Sequence, residues 1–192
     1  ANYCTAVGQA ALAQNTGGDD NTAIGYNTLD AVTTGLRNVA VGNKALSAHT
    51  SNYTTAIGFE AGEDCNASHN VFVGYQAGLN VTTGQQNIYI GSGAGNACTT
   101  GNQNVFIGHN IGSSTTSGGR CTYIGYNVQT SNTSGDSLMI GSGNKTHSGN
   151  YQDAGFIGPG TGAGGYGYMY QGNNQSTWAT TSDIRIKKNI VD

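Results

Sequence analysis

The sequence predicts an all-β fold, a β-solenoid of about ten rungs of 16–17 residues, and three observations carry that expectation. An Ile or Val followed by Gly recurs ten times. Each recurrence sits inside the same short block of residues. Gly, Asn, Ser and Thr fill the intervals between blocks.

The recurrence is regular. The pairs are Val7-Gly8, Ile24-Gly25, Val41-Gly42, Ile57-Gly58, Val73-Gly74, Ile90-Gly91, Ile107-Gly108, Ile124-Gly125, Ile140-Gly141 and Ile157-Gly158, and successive glycines lie 16 or 17 residues apart. The block reads roughly Asn, two variable residues, Ile or Val, Gly, two more, then usually Ala, as in NVAVGNKAL from Asn38 and NVFVGYQAG from Asn70, with Thr28 in the Ala place in NTAIGYNTL from Asn21. A unit of about 17 residues is too short for a helical-pair repeat. Short β runs joined by Gly and Asn turns suit one coil of a solenoid. Ten levels at ~4.8 Å give a rod roughly 45 Å long.

In such a stack each repeat position becomes a column. Side chains alternate faces along a strand, so the residue before Gly and the third residue before Gly share a face. That face is expected inside the coil, opposite the small Ala11, Ala45, Ala61, Ala77 and Ala94. The second residue before Gly then points outward: four alanines followed by Phe72, Tyr89, Phe106, Tyr123, Met139 and Phe156. A continuous outward apolar ribbon reads as an interface between sister chains, the larger residues holding the chains wider apart towards the C-terminus. The alternative is that this column belongs to a broader core within one coil.

Two polar columns are read as architecture. Thr16, Thr33, Thr50, Thr82, Thr99, Thr116 and Thr133 lie eight residues after Gly, at an expected corner. A Thr ladder also suggests an ice-binding face, but no second alternating Thr column accompanies this one. Asn21, Asn38, Asn70, Asn87 and Asn104 read as a turn ladder. Cys65 and Cys98 share a register two rungs apart, ~9.6 Å by rung spacing and so beyond disulfide reach. Cys4 and Cys121 share another register, seven rungs apart, and free thiols are the expectation, with inter-chain pairing the alternative.

Composition narrows the function. Only 9% of residues are charged and the net charge is −3. Before residue 182 the only basic residues are Arg37, Lys44, Arg120 and Lys145, scattered against eight acidic ones, whereas phosphate backbones require clustered Lys and Arg, so nucleic acid is not an expected partner. No apolar run is long enough for a membrane-spanning helix, and membrane insertion is not expected. No CxxC or zinc-like Cys/His spacing occurs, and His49, His69, His109 and His147 fall at different repeat positions. Neither a metal site nor a cofactor is therefore expected. No carboxylate pair stands out for glycoside cleavage. Six Asn-x-Ser/Thr sequons, at Asn52, Asn66, Asn80, Asn132, Asn144 and Asn174, are near the chance number for this composition. The chain opens at Ala1 in mid-pattern without Met, which points to a piece of a longer secreted or virion-borne polypeptide.

Three segments are expected: the repeat region 1–158, a Gly/Tyr-rich junction 159–181, and a different segment 182–192. In the junction Tyr166, Tyr168 and Tyr170 alternate, so they would share a strand face. Such a row can stack on sugars at a receptor-contacting tip, and it can equally pack between modules. The Gly-rich run beside it lacks the Gly-Lys-Ser/Thr ending of a phosphate-binding loop.

The Ile-Gly-x-x-Ala repeat with Asn and Gly turns, covering residues 1 to 158, resembles the head repeats of trimeric autotransporter adhesins and similar repeats of phage and other viral tail fibres. These units are longer than the usual adhesin-head unit. The resemblance implies a left-handed parallel β-roll assembled as an elongated homotrimer. Residues 176 to 190, STWATTSDIRIKKNI, resemble the opening of the endosialidase-type intramolecular chaperone domain at the end of phage tail fibres and tailspikes. The family motif Ser-Asp-x-x-x-Lys-x-Asn-Ile matches at Ser182, Asp183, Lys187, Asn189 and Ile190. By that resemblance Ser182 would be the nucleophile of autoproteolysis, Lys187 its base and Asp183 the cleavage-site flank. A desolvated Lys can take a Ser proton, but only about ten residues of that domain are present here. The chain is otherwise not expected to be an enzyme. The expectation is a structural tail or surface fibre, at the virion surface or otherwise extracellular, that presents an attachment surface to a host glycan or protein receptor. The alternatives are the head of a bacterial trimeric adhesin and part of a glycan-cleaving tailspike.

Overall fold

The computed structural model describes residues 3–130, 136–147, 154–159, 169–171 and 179–180. The short β-branched or aromatic runs before each Gly form strands, as their propensity favours. They are β1 (Thr5–Val7), β2 (Thr22–Ile24), β3 (Val39–Val41), β4 (Thr55–Ile57), β5 (Val71–Val73), β6 (Ile88–Ile90) and β7 (Val105–His109). Longer strands follow: β8 (Thr122–Thr130), β9 (Ser137–His147) and β10 (Ala154–Pro159). These ten lie in chain order in one parallel sheet. β11 (Met169–Gln171) and β12 (Ala179–Thr180) add to it antiparallel. The chain is all-β and builds a parallel β-solenoid of about eight turns.

Register follows the repeat. Val7 pairs with Ile24, Ile24 with Val41, Val41 with Ile57 and Ile57 with Val73. Ile90 pairs with Ile107, and Ile124 with Ile140. Parallel strands require a crossover between them, and here each crossover is the rest of one coil, itself tied to the next by backbone bonds such as Leu12 N–H to Thr28 C=O (3.0 Å) and Thr99 N–H to Thr116 C=O (2.8 Å).

The Gly of each pair has a physical reason. Gly74 has φ +135°, where L side chains are rarely found, and a β-carbon built on it would lie 2.6 Å from the carbonyl oxygen of Gly91 in the next coil. The sharp turn and the closeness of neighbouring coils both exclude a side chain. Two and four residues after Gly the backbone is again left-handed, occupied by non-glycine residues such as Lys44 (φ 56°) and Leu46 (φ 53°). These left-handed steps are part of what carries the chain round each coil.

The interior reverses the expected faces. Ala23, Ala40, Ala56, Phe72, Tyr89, Phe106, Tyr123 and Met139, two residues before Gly, are fully or almost fully buried within a single chain. Ala45, Ala61, Ala77 and Ala94 line the same core. The aromatic members form one column: Phe72 and Tyr89 are tilted, with ring centroids 5.6 Å apart, and Tyr89 on Phe106 (4.9 Å) and Phe106 on Tyr123 (4.7 Å) are stacked. The expectation that Phe72, Tyr89, Phe106, Tyr123 and Met139 form a chain–chain interface is therefore wrong. They are the core of one coil, as the alternative reading had it. Phe156 continues the backbone register opposite Met139, but its side chain lies outside the described residues.

The step from Ala to aromatic is absorbed inside the coil. Where the strand carries Ala23 or Ala40, the residue four after Gly is Leu29 or Leu46, both buried. Where it carries Phe72, Tyr89 or Phe106, that position is Gly78, Gly95 or Gly112. The large residue has moved from one wall of the coil to the other.

The Asn ladder is buried. Asn38 N–H donates to the Asn21 side-chain oxygen (2.9 Å), Asn87 N–H to that of Asn70 (2.9 Å) and Asn104 N–H to that of Asn87 (3.0 Å). The amide nitrogens of Asn87 and Asn104 donate to the Gly101 and Gly118 carbonyls, each at 2.8 Å. Each Asn thus satisfies backbone groups that the turn would leave unpaired. The Thr column runs along a mostly exposed edge, and the hydroxyls of Thr82 and Thr99 donate to carbonyls of the next coil at 3.1 and 3.0 Å. Hydroxyls used in this way are structural.

Candidate functional site: the outward sheet face

The outward face of the strand column is built from the residue before Gly and the third residue before it. Val7 (56% exposed), Ile24 (40%), Ile57 (42%), Ile90, Ile107 and Ile140 project from the coil, with Ile88 of the neighbouring column. Val41, Val73 and Ile124 in the same column are half-buried. The Ile/Val column, expected inside, is thus a strip of β-branched side chains along the outside. Apolar strips of this length mark interaction surfaces.

Just past each Gly lies a second outward column, which sequence reasoning missed. It holds Tyr26, Phe59, Tyr75, His109 and Tyr126, interrupted by Asn43 and Ser92. All five rings are exposed. Phe59 and Tyr75 stack with centroids 5.5 Å apart, and His109 and Tyr126 at 5.3 Å. The signal that would have found it is the ring-bearing residue after Gly in five of the seven blocks from Tyr26 to Tyr126, hidden because the position is chemically mixed.

A third exposed column, five residues before Gly, carries the charges. Arg37 lies 3.4 Å from the Asp20 carboxylate and its guanidinium sits 5.6 Å over the Tyr53 ring, which stacks on His69 at 5.1 Å. Lys44 bridges Glu63 (3.0 Å) and Glu60 (3.8 Å) on another edge. The Arg37–Asp20 pair, exposed on both sides, adds little stability.

The buried titratable groups are held in their neutral forms. Burial pushes the Cys65 thiol up to about 11 and the Cys98 thiol to about 12. Neither is a nucleophile at neutral pH. No disulfide joins any of the four cysteines within the chain. His49 is buried, its Nδ1–H donating to the Cys65 carbonyl (2.9 Å) while Nε2 lies 3.2 Å from the Asn38 side-chain oxygen. Desolvation holds its pKa below the ordinary value, against the bonds to the Cys65 and Ser51 backbone.

Most of the remaining candidates from the sequence fall outside the described residues. Ser182, Asp183, Lys187, Tyr166 and Tyr168 lie outside the described residues, as does the whole 182–192 segment. Tyr170 sits in β11 with its backbone opposite Phe156, and its side chain is likewise outside the description. Among the described residues no group of three or more His, Cys, Asp or Glu side chains is placed to hold a metal ion. No family model, curated protein or solved structure matches the chain.

Proposed function

We propose that the chain is a structural segment of a homotrimeric fibre on a virion tail or surface, extracellular in action, that displays or forms a host-receptor attachment surface. In this reading the coil is left-handed and runs to ten rungs through residue 158, and the tail from Ser182 begins an intramolecular chaperone domain. The observation that carries it is the outward Ile/Val strip. A rod that keeps β-branched apolar residues on the outside of successive coils gains by burying them against copies of itself, at about 25 cal/mol per Å² of apolar surface covered. The interface of the trimer is accordingly this strip. The likeness of the repeats to those of trimeric fibres and adhesin heads supplies the number three.

Sedimentation equilibrium tests the assembly. Three chains of 19.6 kDa give 3 × 19.6 = 58.8 kDa, and a species of that mass is expected. A well-folded monomer across the concentration range would overturn the proposal. The attachment half is tested by binding of the labelled protein to intact cells from a bacterial and a eukaryotic panel, where saturable binding to a subset is expected and none at all counts against it.

A further inference from the structure

The outward ring column after Gly has a pattern that the trimer does not explain. The order is Tyr26, Asn43, Phe59, Tyr75, Ser92, His109, Tyr126, one per coil. The column is backbone-tied at every step. Lys44 N–H donates to the Tyr26 carbonyl (2.8 Å), Glu60 N–H to that of Asn43 (2.9 Å) and Gln76 N–H to that of Phe59 (2.9 Å). Gly93 N–H donates to the Tyr75 carbonyl and Asn110 N–H to that of Ser92, both at 2.8 Å. The residues therefore stand above one another at rung spacing. Where two rings are consecutive they stack, as Phe59 does on Tyr75 and His109 on Tyr126. Where Asn43 or Ser92 intervenes, one ring is missing from the stack.

We infer that these two interruptions are slots for pyranose rings, and that the attachment surface is a glycan-binding edge running along the rod. Tyr75 and His109 stand two rungs apart, ~9.6 Å by strand spacing. A ring inserted midway lies ~4.8 Å from each wall, within the ~4.5–7 Å separation of stacked rings. A pyranose has apolar C–H faces for the two rings and a rim of hydroxyls for polar neighbours. The Ser92 slot supplies those neighbours. Its floor is a hydroxyl, and the next position along the chain is Gly93, which has no side chain to close the edge. The amides of Gln76 and Asn110 stand one coil to either side; their nitrogens donate away from the slot, to Glu60 (2.8 Å) and Asn127 (2.9 Å), and the Asn110 side-chain oxygen faces the slot's coil, 3.7 Å from where a β-carbon on Gly93 would stand. The Asn43 slot, between Tyr26 and Phe59, has an amide floor.

This inference rests on the attachment reading but fails separately from it. The probe is an immobilised array of cell-surface oligosaccharides, read with the full chain, with S92Y, with the double variant N43Y/S92Y and with Y166A/Y168A. S92Y inserts the same ring that Tyr75 already places one coil below, so it fills the slot without disturbing the core. Circular dichroism and sedimentation are expected to match the unsubstituted chain. Saturable binding to a subset of glycans is expected, falling at least tenfold in S92Y and further in the double variant, with Y166A/Y168A unchanged. Glycan binding that survives S92Y and N43Y/S92Y but vanishes in Y166A/Y168A overturns the slots while leaving the attachment reading standing. Cell binding with no glycan bound does the same. Absence of both overturns both.

Discussion

Gly78 stands against the ring of Phe72 so closely that a β-carbon built on it would fall 2.5 Å from the ring carbons, and Gly62, one coil below, would meet the same ring at 2.6 Å. The equivalent position three coils from the start is Leu46, paired with the small Ala40. The large residue passes from the far wall to the strand, and in the coil between, where Ala56 faces Gly62, the space beside Gly62 is taken by the Phe72 ring of the next coil.

This exchange predicts a coupled pair. Phe72→Ala alone should cost ~3–5 kcal/mol through the cavity it leaves. Gly78→Leu alone should also destabilise, because the side chain has no room. Together they restore the arrangement already present at Ala40 and Leu46, at a left-handed position (φ 64° against 53°) that Leu tolerates there. The double variant should be more stable than the sum of the single effects by at least 1 kcal/mol in chemical denaturation. Strict additivity would show that the two walls are independent.

Replacing the invariant turn glycine should be far worse than replacing a surface residue. Gly74→Ala combines a φ of +135° with a β-carbon 2.6 Å from the Gly91 carbonyl. Strain of ~1–3 kcal/mol is expected from the backbone alone, and the clash adds to it. Ser92→Ala, in the neighbouring coil, is the control and should leave the melting temperature within about a degree or two.

His49 should make stability depend on pH in one direction. Its folded pKa is depressed by burial, so the unfolded chain binds the proton more readily. Stability contributed by the neutral ring is present above the unfolded value of about 6.5 and is lost as pH falls through the folded pKa. His49→Val places at this position the residue found at the same register in Val32 and Val81, both buried. The variant's melting temperature should fall less between pH 8 and pH 5 than that of the unsubstituted chain. An equal fall in both would remove His49 as the cause.

The thiols offer a chemical readout of the coil. Cys65 and Cys98, buried and with thiol pKa values pushed up to about 11 and 12, should resist a maleimide in the folded protein at pH 8, because the thiolate is the reactive form. Both should label promptly in concentrated guanidinium, with sites assigned by mass spectrometry. Rapid labelling of Cys98 in the native protein would mean that the coil opens at that rung.

The outward strip predicts a way to separate assembly from folding. Ile57 and Ile90 are exposed in a single chain, so Ile57→Lys with Ile90→Lys should leave the circular dichroism of the coil intact. In the proposed trimer the same changes place charges in an apolar interface, and sedimentation should report single chains. A trimer that survives both substitutions must use another surface.

Much of the architecture was legible in the residues alone. The 16–17-residue spacing of Gly8 through Gly158 announced the coil, and the parallel register of Val7, Ile24 and Val41 followed from it. The turn role of Asn21, Asn38, Asn70, Asn87 and Asn104 was legible too, since an amide both donates and accepts and so can serve two coils at once. That no disulfide joins Cys65 to Cys98 or Cys4 to Cys121 within one chain followed from rung arithmetic. The attachment candidates at Tyr166, Tyr168 and Tyr170 and the Ser182–Lys187 pair rested on local pattern and resemblance alone.

What the sequence determined by itself was the period, because a side chain recurring every coil and a Gly that no β-carbon can replace leave their mark directly in the order of residues. What only the tertiary structure decided was which side of the strand faces in. Alternation divides Val71-Phe72-Val73 into two faces, both apolar, and says nothing about which is enclosed. That choice belongs to the turns beyond Gly, whose left-handed steps set the direction of curvature, and to partners on the far wall such as Leu46 and Gly78, whose sizes match the strand residue only once the chain has come round to meet it.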